Sequence, residues 1–218
     1  MKKLVNNRLT VGIIDYGLGN LYSIESAIKH VGAEPIITSD PKVIARCERL
    51  ILPGVGAFGD GIGGLKDKGL IEPIKVAVES GKPLLGVCLG MQLLMSVSEE
   101  FGIYPGLDLI KGKVVRFKEN LFFKIPHVGW NSLDYSDNCL NWRETILEDL
   151  EEGISVYFVH SYIVVPDNLS NVIATTDYAD QTFCSVIADG NIVGCQFHPE
   201  RSGEVGLEMY RKFIFKNF

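Results

Sequence analysis

One cysteine stands between two glycines at a point where the hydrophobic pattern changes period. Cys88 follows a short apolar run at 84–87, long enough for a buried strand, and apolar residues recur at helical spacing after it. Gly86 and Gly90 flank the cysteine at two-residue spacing, the pattern of a nucleophile on a tight strand–turn–helix elbow. Free N–H groups at the start of the helix would favour the thiolate. The alternative for this pattern is a buried structural cysteine.

A cysteine nucleophile needs a base, and the base needs an acceptor that orients it. His198 follows a predicted strand and has Glu200 two positions later. Residues two apart in an extended segment point the same way, so the carboxylate could accept the imidazole N–H. Cys88, His198 and Glu200 are therefore a candidate triad, with a surface ion pair as the alternative for the last two. His127 and His160 lie in or beside predicted strands, as core donors or as site residues.

Glycine-rich segments follow three predicted strands, at 17–19, 54–59 and 86–90. In an open parallel sheet these strand ends share one edge, where ligands bind. The first segment lacks the third glycine of a dinucleotide-binding motif, so phosphate binding is only weakly indicated, and the alternative is that Asn20 faces a site there. The second segment, with two glycines around Val55, could present backbone N–H groups to an anion as an oxyanion hole does, or form an ordinary turn.

The wider pattern predicts an α/β fold. Predicted strands at 10–15, 35–38, 49–52 and 84–87 alternate with predicted helices at 23–31, 41–47 and 65–80. After about residue 106, strands are predicted at 109–117, 122–125, 155–165, 172–176, 184–188 and 192–197, with a turn at 119–120, polar surface loop and helix over 134–152, and a last helix at 205–215. We expect a three-layer α/β/α structure with a mostly parallel central sheet and an antiparallel extension. Residues 1–9 match no motif, and the chain is predicted to form a single domain over 1–218.

Composition limits the function classes. The chain has 218 residues, of which 46% are hydrophobic, and a formal net charge of −6. The negative charge argues against a nucleic-acid or acidic-membrane surface. The apolar runs are strand-sized and the N-terminus lacks the apolar core of a signal peptide, which predicts a cytoplasmic protein. Five widely spaced cysteines without a C-x-x-C pair suggest neither a zinc site nor a disulfide framework.

The segments around Cys88 and His198 resemble the class I (triad-type) glutamine amidotransferases, with a fold of flavodoxin-like type. Further motifs are similar to those of one group in this superfamily, the glutaminase subunits of imidazole glycerol phosphate synthases. These motifs are Asp-Tyr-Gly-Leu-Gly-Asn at 15–20, Leu-Pro-Gly-Val-Gly at 52–56, Pro-His-Val-Gly-Trp-Asn at 126–131 and Tyr-Phe-Val-His-Ser-Tyr at 157–162. The resemblance runs from residue 10 to residue 218.

The resemblance implies a role for each matching position. Cys88 would attack the amide of L-glutamine to form a thioester, His198 would relay the proton, and Glu200 would orient His198. The oxyanion hole would be formed by Gly54, Val55 and Leu89, once the strand at 54–56 has reoriented. The amino-acid part of glutamine would be held by Gly56, Gln92, Ser161 and Tyr162. The partner interface and ammonia passage would involve Asn20, Trp130 and Arg201.

The resemblance also implies a partner and no cofactor. The chain would form a 1:1 heterodimer with a (β/α)8 cyclase subunit, where ammonia reacts with a ribonucleotide in histidine biosynthesis, and neither a metal nor an organic cofactor is implied. One alternative is a paralogous subunit that supplies ammonia to a different synthase, for example in the amidination of a surface sugar. A cysteine hydrolase or peptidase with the same elbow, and a non-catalytic scaffold, are the alternatives from other classes.

Overall fold

The computed structural model describes residues 8–119 and 122–216. Most of the 1–9 segment and Asn120 of the predicted turn lie outside the described residues. The helices are α1 (Leu21–His30), α2 (Pro41–Arg46), α3 (Phe58–Asp67), α4 (Ile71–Glu79), α5 (Leu89–Leu93) and α6 (Gly203–Phe215), with short 3-10 turns at Leu169–Asn171 and Pro199–Arg201. None of the helices in the described part of the chain is long and apolar enough to cross a membrane.

The strands form a large sheet and two smaller ones. They are β1 (Thr10–Ile14), β2 (Glu34–Thr38), β3 (Arg49–Leu52), β4 (Leu84–Val87), β5 (Val97–Ser98), β6 (Tyr104–Pro105), β7 (Gly112–Arg116), β8 (His127–Ser132), β9 (Asp134–Tyr135), β10 (Ser155–His160), β11 (Tyr162–Pro166), β12 (Val172–Tyr178), β13 (Gln181–Asp189) and β14 (Ile192–Cys195). The large sheet has the order β2-β1-β3-β4-β14-β13-β12-β9. A ribbon pairs β8 with β10, and a third sheet has the order β11-β7-β5-β6.

The large sheet is parallel where the predicted site lies. Strands β2, β1, β3, β4 and β14 are parallel neighbours, and β13, β12 and β9 continue the sheet in antiparallel fashion. Counting only the parallel strands, the order is the 2-1-3-4-5 order of the flavodoxin-like fold. The predicted α/β class with an antiparallel extension is confirmed. Because β1, β3 and β4 are neighbours, the three glycine-rich segments that follow them lie along one edge.

Two buried clusters separate the sheet from the helices on its two faces. Helix α1 contributes Ile24, Ala27 and Ile28 at helical spacing to one cluster, where they meet apolar residues of α6 and of the strands. Helices α2, α3 and α4 pack on the other cluster with Ile44, Leu65 and Ile74 among their buried residues. Removing such apolar surface from water is the main stabilising contribution to a fold of this size.

The predicted single helix at 65–80 is wrong. The structure has two helices there: α3 begins earlier, at Phe58, and α4 starts at Ile71. Gly69 lies between them with a φ of +64°, a left-handed conformation that ends helices and favours glycine. The glycine-rich segment at 54–59 is therefore a short loop whose last residues already belong to α3.

Three further predictions fail in the second half of the chain. Residues 122–125 form turns and bends and not a strand, and residues 134–152 contain β9 and turns but no helix. The latter segment is not a purely polar surface either, because Trp142 is buried in the core and donates its indole N–H to the carbonyl of Ile173 at 3.1 Å. The predicted strand at 155–165 is two strands, β10 and β11, which separate at Ser161 and join different sheets.

Candidate active site

Cys88 lies on the predicted elbow. Its backbone has a φ of +54° and a ψ of −110°, between the end of β4 and the start of α5. A Cβ atom on Gly90 would overlap the carbonyl oxygen of Leu52 in β3, and one on Gly86 would press on the backbone of Gly90. The two glycines are therefore required by close backbone packing, and that packing holds Cys88 in a conformation that L-residues rarely adopt.

His198 and Glu200 form a buried pair on the turn after β14. The distance from His198 Nδ1 to Glu200 Oε1 is 2.8 Å, and the two side chains are 3% and 0% exposed. The other carboxylate oxygen of Glu200 accepts from the hydroxyl of Tyr210 at 3.4 Å, in α6. His198 Nε2 is buried and has no hydrogen-bond partner among the described residues. A buried polar atom left without a partner is unusual and suggests a functional role.

The surroundings of His198 favour its charged form. Burial alone lowers the pKa of His198, but interactions with Cys88 and Glu200 outweigh burial and raise the pKa to about 10. Negative charge close to an imidazole has this effect because it stabilises the imidazolium. The structure therefore brings the three candidate triad residues together, although Cys88 lies more than a hundred positions before His198 and Glu200 in the chain.

A cavity of about 430 Å³ opens over Cys88. Most of the residues predicted for the oxyanion hole and for substrate binding line it, namely Val55, Gly56, Leu89, Gln92, Ser161 and Tyr162. Gly54 is buried behind Val55, where a Cβ atom would press on Tyr16, Leu89 and Gly90. Leu89 is the first residue of α5, and backbone N–H groups at that position have no intrahelical partner.

Two residues that were not predicted belong to the site, one in the cavity wall and one buried against Cys88. Glu100 lines it with a buried side chain, and its Oε2 accepts from the backbone N–H of Phe58 at 2.6 Å, at the start of α3. Gln196 is fully buried, donates to Cys88 Sγ at 3.8 Å and accepts from Gln92 Nε2 at 3.1 Å. The sequence offered one signal for Gln196, since it stands two positions before His198 at the end of a predicted strand. No pattern in the sequence marks Glu100.

His160 also lines the cavity. The sequence left open whether His127 and His160 are core donors or site residues, and the structure distinguishes the two. Both are buried, and His127 Nδ1 lies 3.1 Å from His160 Nε2. His160 Nδ1 lies 3.0 Å from the carbonyl oxygen of Tyr162. His127 is thus a core hydrogen-bonding residue, and His160 is both a core residue and part of the cavity wall.

The three residues predicted for a partner interface occupy two places. Asn20 and Arg201 line a second cavity of about 380 Å³. Its wall shares Arg201, and also Val55, Val159 and His198, with the wall of the first. Trp130 lies outside both cavities and is 58% exposed. Its ring meets Tyr157 edge-on at 6.1 Å, and the guanidinium of Arg201 lies 4.8 Å from the centre of the Tyr157 ring.

Metal binding has no support in the described part of the chain. Among residues 8–119 and 122–216, no group of three or more His, Cys, Asp and Glu side chains could hold a metal ion.

A sequence model of the family described as glutamine amidotransferase class-I matches residues 12–217. The match covers the elbow, the histidine–glutamate pair and all of the parallel half of the sheet except the first two residues of β1. The chain belongs to the class-I glutamine amidotransferase family, and the family resemblance predicted from the sequence motifs is confirmed.

Curated relatives carry a more particular name. The chain is 47% identical over 209 residues to "Imidazole glycerol phosphate synthase subunit HisH 1" of Legionella pneumophila, a match that covers 94% of this chain and 98% of the relative. It is 47% identical over 206 residues to subunit HisH of Syntrophotalea carbinolica, with 92% and 97% covered. Subunit HisH of Geobacter metallireducens is 44% identical over 209 residues, with 94% and 97% covered.

Solved structures with lower identity share the fold. The structure of PurLQS from Thermotoga maritima matches with a TM-score of 0.73 at 21% identity and covers 94% of this chain and 97% of the matched chain. A crystal structure of a glutamine amidotransferase matches with a TM-score of 0.70 at 20% identity, with 94% and 97% covered. At such identities the likeness concerns the fold alone.

Proposed function

We propose that this chain is the glutaminase subunit of an imidazole glycerol phosphate synthase. It would hydrolyse L-glutamine to glutamate and ammonia and pass the ammonia to a cyclase subunit in histidine biosynthesis. The observation that carries the proposal is the buried His198–Glu200 pair beside Cys88, in a family whose relatives at 44–47% identity are named as this subunit. The relatives match along nearly their whole length, so this chain has a counterpart for nearly every part of those subunits.

The mechanism follows from the charges around Cys88. The thiolate of Cys88 attacks the amide carbon of glutamine, and the oxyanion that forms is stabilised by backbone N–H groups of Leu89 and the 54–56 segment. The His198 imidazolium gives its Nε2 proton to the leaving amine. The C–N bond of the tetrahedral adduct then breaks, which releases ammonia and leaves a cysteinyl thioester. A water molecule, deprotonated by His198, then attacks the thioester and releases glutamate and the thiolate. Glu200 orients the imidazole in both steps.

The cavity matches the charges of a free amino acid. The Glu100 carboxylate on its wall is suited to the α-ammonium group, and the backbone at Gly56, Ser161 and Tyr162 offers polar atoms to the α-carboxylate. A volume of about 430 Å³ is sufficient for an amino acid of this size. Gln92 supports this wall, because its Nε2 donates to the carbonyl of Tyr162 at 3.0 Å.

A path for ammonia is supported by the second cavity. Because His198 lines both cavities, ammonia released beside it could pass to the side on which Asn20 and Arg201 lie. We propose that the cyclase subunit covers this side as a 1:1 partner and that Trp130 contributes to the contact. We also propose that residues 1–218 act as one domain, and that the enzyme works in the cytoplasm, where the five free cysteines would remain reduced.

The test is a glutaminase assay of the purified chain, alone and mixed with the cyclase subunit from the same source and its ribonucleotide ligand. We expect strong stimulation on mixing, abolished by Cys88→Ala and retained by Cys139→Ala, a partly exposed cysteine outside the cavity. Glutamine hydrolysis that does not respond to this partner would assign the ammonia to another acceptor. Absence of hydrolysis under every condition would contradict the proposal.

A further inference from the structure

A continuous row of polar contacts leads from the surface side of the β8–β10 ribbon into the wall of the cavity. The amide nitrogen Nδ2 of Asn131 lies 3.4 Å from His127 Nε2, and His127 Nδ1 lies 3.1 Å from His160 Nε2. His160 Nδ1 lies 3.0 Å from the carbonyl oxygen of Tyr162. The row therefore crosses from β8 to β10 and ends on the first residue of β11, beside the cavity.

The direction of every hydrogen bond in this row is fixed by its two ends. The carbonyl oxygen of Tyr162 can only accept, so His160 Nδ1 carries a proton. At the other end the amide of Asn131 has its oxygen engaged with the backbone N–H of Ser132 at 2.9 Å and its nitrogen donating to the carbonyl of Asp177 at 3.0 Å. The second N–H of that amide therefore faces His127 Nε2, which must accept.

Both imidazoles in the row are neutral near pH 7. Burial lowers the pKa of His127 to about 4. Burial, with smaller effects of His127 and His198, lowers the pKa of His160 to about 3, although the hydrogen bond to the Tyr162 carbonyl opposes this shift. A neutral imidazole has one donor and one acceptor nitrogen. Since His160 donates through Nδ1, its Nε2 accepts from the Nδ1–H of His127, and all three hydrogen bonds point toward Tyr162.

The row ends at the carbonyl of Tyr162, in the part of the cavity wall that is proposed to bind glutamine. The carbonyl of Tyr162 accepts from His160 and also from Gln92 Nε2 at 3.0 Å, and all three residues line the cavity. Ser161, between the two strands, has its own carbonyl bound by the backbone N–H of Phe117 at 3.1 Å. The carbonyls of Ser161 and Tyr162 are thus both held by hydrogen bonds.

We propose that His127 and Asn131 are positioning residues for glutamine binding: they fix the tautomer of His160, which in turn fixes the Tyr162 carbonyl and the cavity wall around it. The proposal rests on the proposed glutaminase function. It also explains why two histidines can face one cavity and only one can transfer protons. Both nitrogens of His160 are occupied, whereas Nε2 of His198 has no partner among the described residues.

Two variants of His127 separate hydrogen bonding from packing. The ring of His127 is stacked on Tyr178 at 3.9 Å and on Phe158 at 4.8 Å between ring centres. His127→Phe keeps an aromatic ring in this stack but removes the donor to His160. His127→Asn loses the ring but keeps an amide N–H near the position of Nδ1. A role in packing alone predicts that His127→Asn is the more damaging substitution, and a positioning role predicts the reverse for glutamine binding.

Both variants are assayed in complex with the cyclase subunit, and Tm is measured for each. We expect His127→Phe to raise the KM for glutamine about tenfold, the scale of one lost hydrogen bond, with a smaller effect on kcat. His127→Asn should have the lower Tm and yet a KM closer to that of the wild type. A KM that is equal in the two variants, or that follows their Tm values, overturns the proposal.

The tautomers can be observed without any activity. In the ¹⁵N-histidine-labelled full chain at neutral pH, we expect both His127 and His160 to be neutral with the proton on Nδ1, and His160 to lose this single form in His127→Phe. A proton on Nε2 of His160 in the wild type, or a charged imidazole, overturns the proposal. This readout remains valid if the wild type fails to hydrolyse glutamine, in which case only the proposed function is contradicted.

Discussion

At the scale of single residues, two histidines share one cavity but their nitrogens are in opposite situations. His198 binds Glu200 through Nδ1 and leaves Nε2 without a partner among the described residues, whereas His160 has both nitrogens bound. An imidazole can exchange a proton with a substrate only through a nitrogen that is not already engaged. We therefore propose that His198 transfers the proton and that the carboxylate of Glu200 controls its charge state.

We expect Glu200→Gln to lower kcat roughly 100-fold, the scale of a general acid–base contribution. The substitution removes one of the groups that raise the pKa of His198, so this pKa must fall from about 10. Because the folded-state pKa lies above the unfolded value of about 6.5, the stability that the pair provides is complete below pH 6.5 and is lost as the pH rises toward 10.

The measurements for this variant are kcat and the free energy of unfolding as functions of pH. In Glu200→Gln the loss of stability should end at a lower pH and be smaller in total than in the wild type, because the folded-state pKa of His198 lies closer to its unfolded value. Glu79→Gln, at the exposed end of α4, is the control and should reproduce the wild-type profile. A pH profile unchanged by Glu200→Gln would show that the carboxylate does not control His198.

Glu100 provides the second prediction at this scale. Glu100→Gln keeps an oxygen that can accept from the Phe58 N–H but removes the negative charge from the cavity wall. A lost hydrogen bond to a charged group should raise the KM for glutamine by about 10- to 100-fold, with less change in kcat. Glu99→Gln is the matched control, since Glu99 is half exposed and pairs with Lys113. Equal KM values in the two variants would exclude Glu100 from substrate binding.

At the scale of secondary-structure elements, the site depends on how closely α5 lies against the neighbouring strand β3. The start of this short helix touches the end of β3 so closely that Gly90 has no room for a Cβ atom. Burial of all five residues of α5 fixes the helix between the sheet and the outer layer. The position of Cys88 relative to the 54–56 segment follows from this contact.

We therefore expect Gly90→Ala to destabilise the protein by about 3 kcal/mol or more, because a Cβ atom at this position overlaps backbone that cannot move alone. Gly63→Ala is the matched control. Gly63 lies inside α3 with nothing within 4 Å of an added Cβ atom, so this substitution should stabilise the helix by up to about 1 kcal/mol. Unfolding in urea measures both changes, and similar values for the two variants would contradict the close-contact explanation.

At the scale of the whole molecule, the two edges of the large sheet formed by the ends of its parallel strands carry different features. The ends of β1, β3 and β4 carry Asn20, the 54–56 segment and Cys88, while the opposite edge carries the end of α6. Arg49, at the start of β3, donates to the carbonyl of Phe213 in that helix at 3.3 Å. We propose that a partner that receives ammonia binds at the edge that carries Cys88, where Trp130 meets Tyr157 edge-on and the Arg201 guanidinium lies over the Tyr157 ring.

Trp130→Ala should weaken binding of the cyclase subunit by about 2 kcal/mol, the scale of an interface hot spot. Phe215→Ala is the matched control, since Phe215 is an aromatic residue that is 49% exposed at the opposite edge. Titration calorimetry of each variant with the cyclase subunit gives the two dissociation constants. A larger effect from Phe215→Ala would place the interface on the other side of the molecule.

The sequence by itself determined the parallel half of the sheet, the elbow at Cys88 and the pairing of His198 with Glu200. Each of these depends on short-range rules: the period of apolar residues, the place of glycine in tight turns, and the common direction of residues two apart. The family membership also followed from short motifs. Each of these patterns lies within a few neighbouring residues, so it predicts local structure without knowledge of the rest of the fold.

The tertiary structure decided which distant side chains meet. Glu100 reaches the cavity, Gln196 contacts Cys88, and Trp142 is buried. His127 is bound to His160 because of how β8 pairs with β10. The failed predictions at 122–125 and 134–152 have the same origin. A contact between residues far apart in sequence depends on strand register and on packing across layers, and no window of a few residues contains that information.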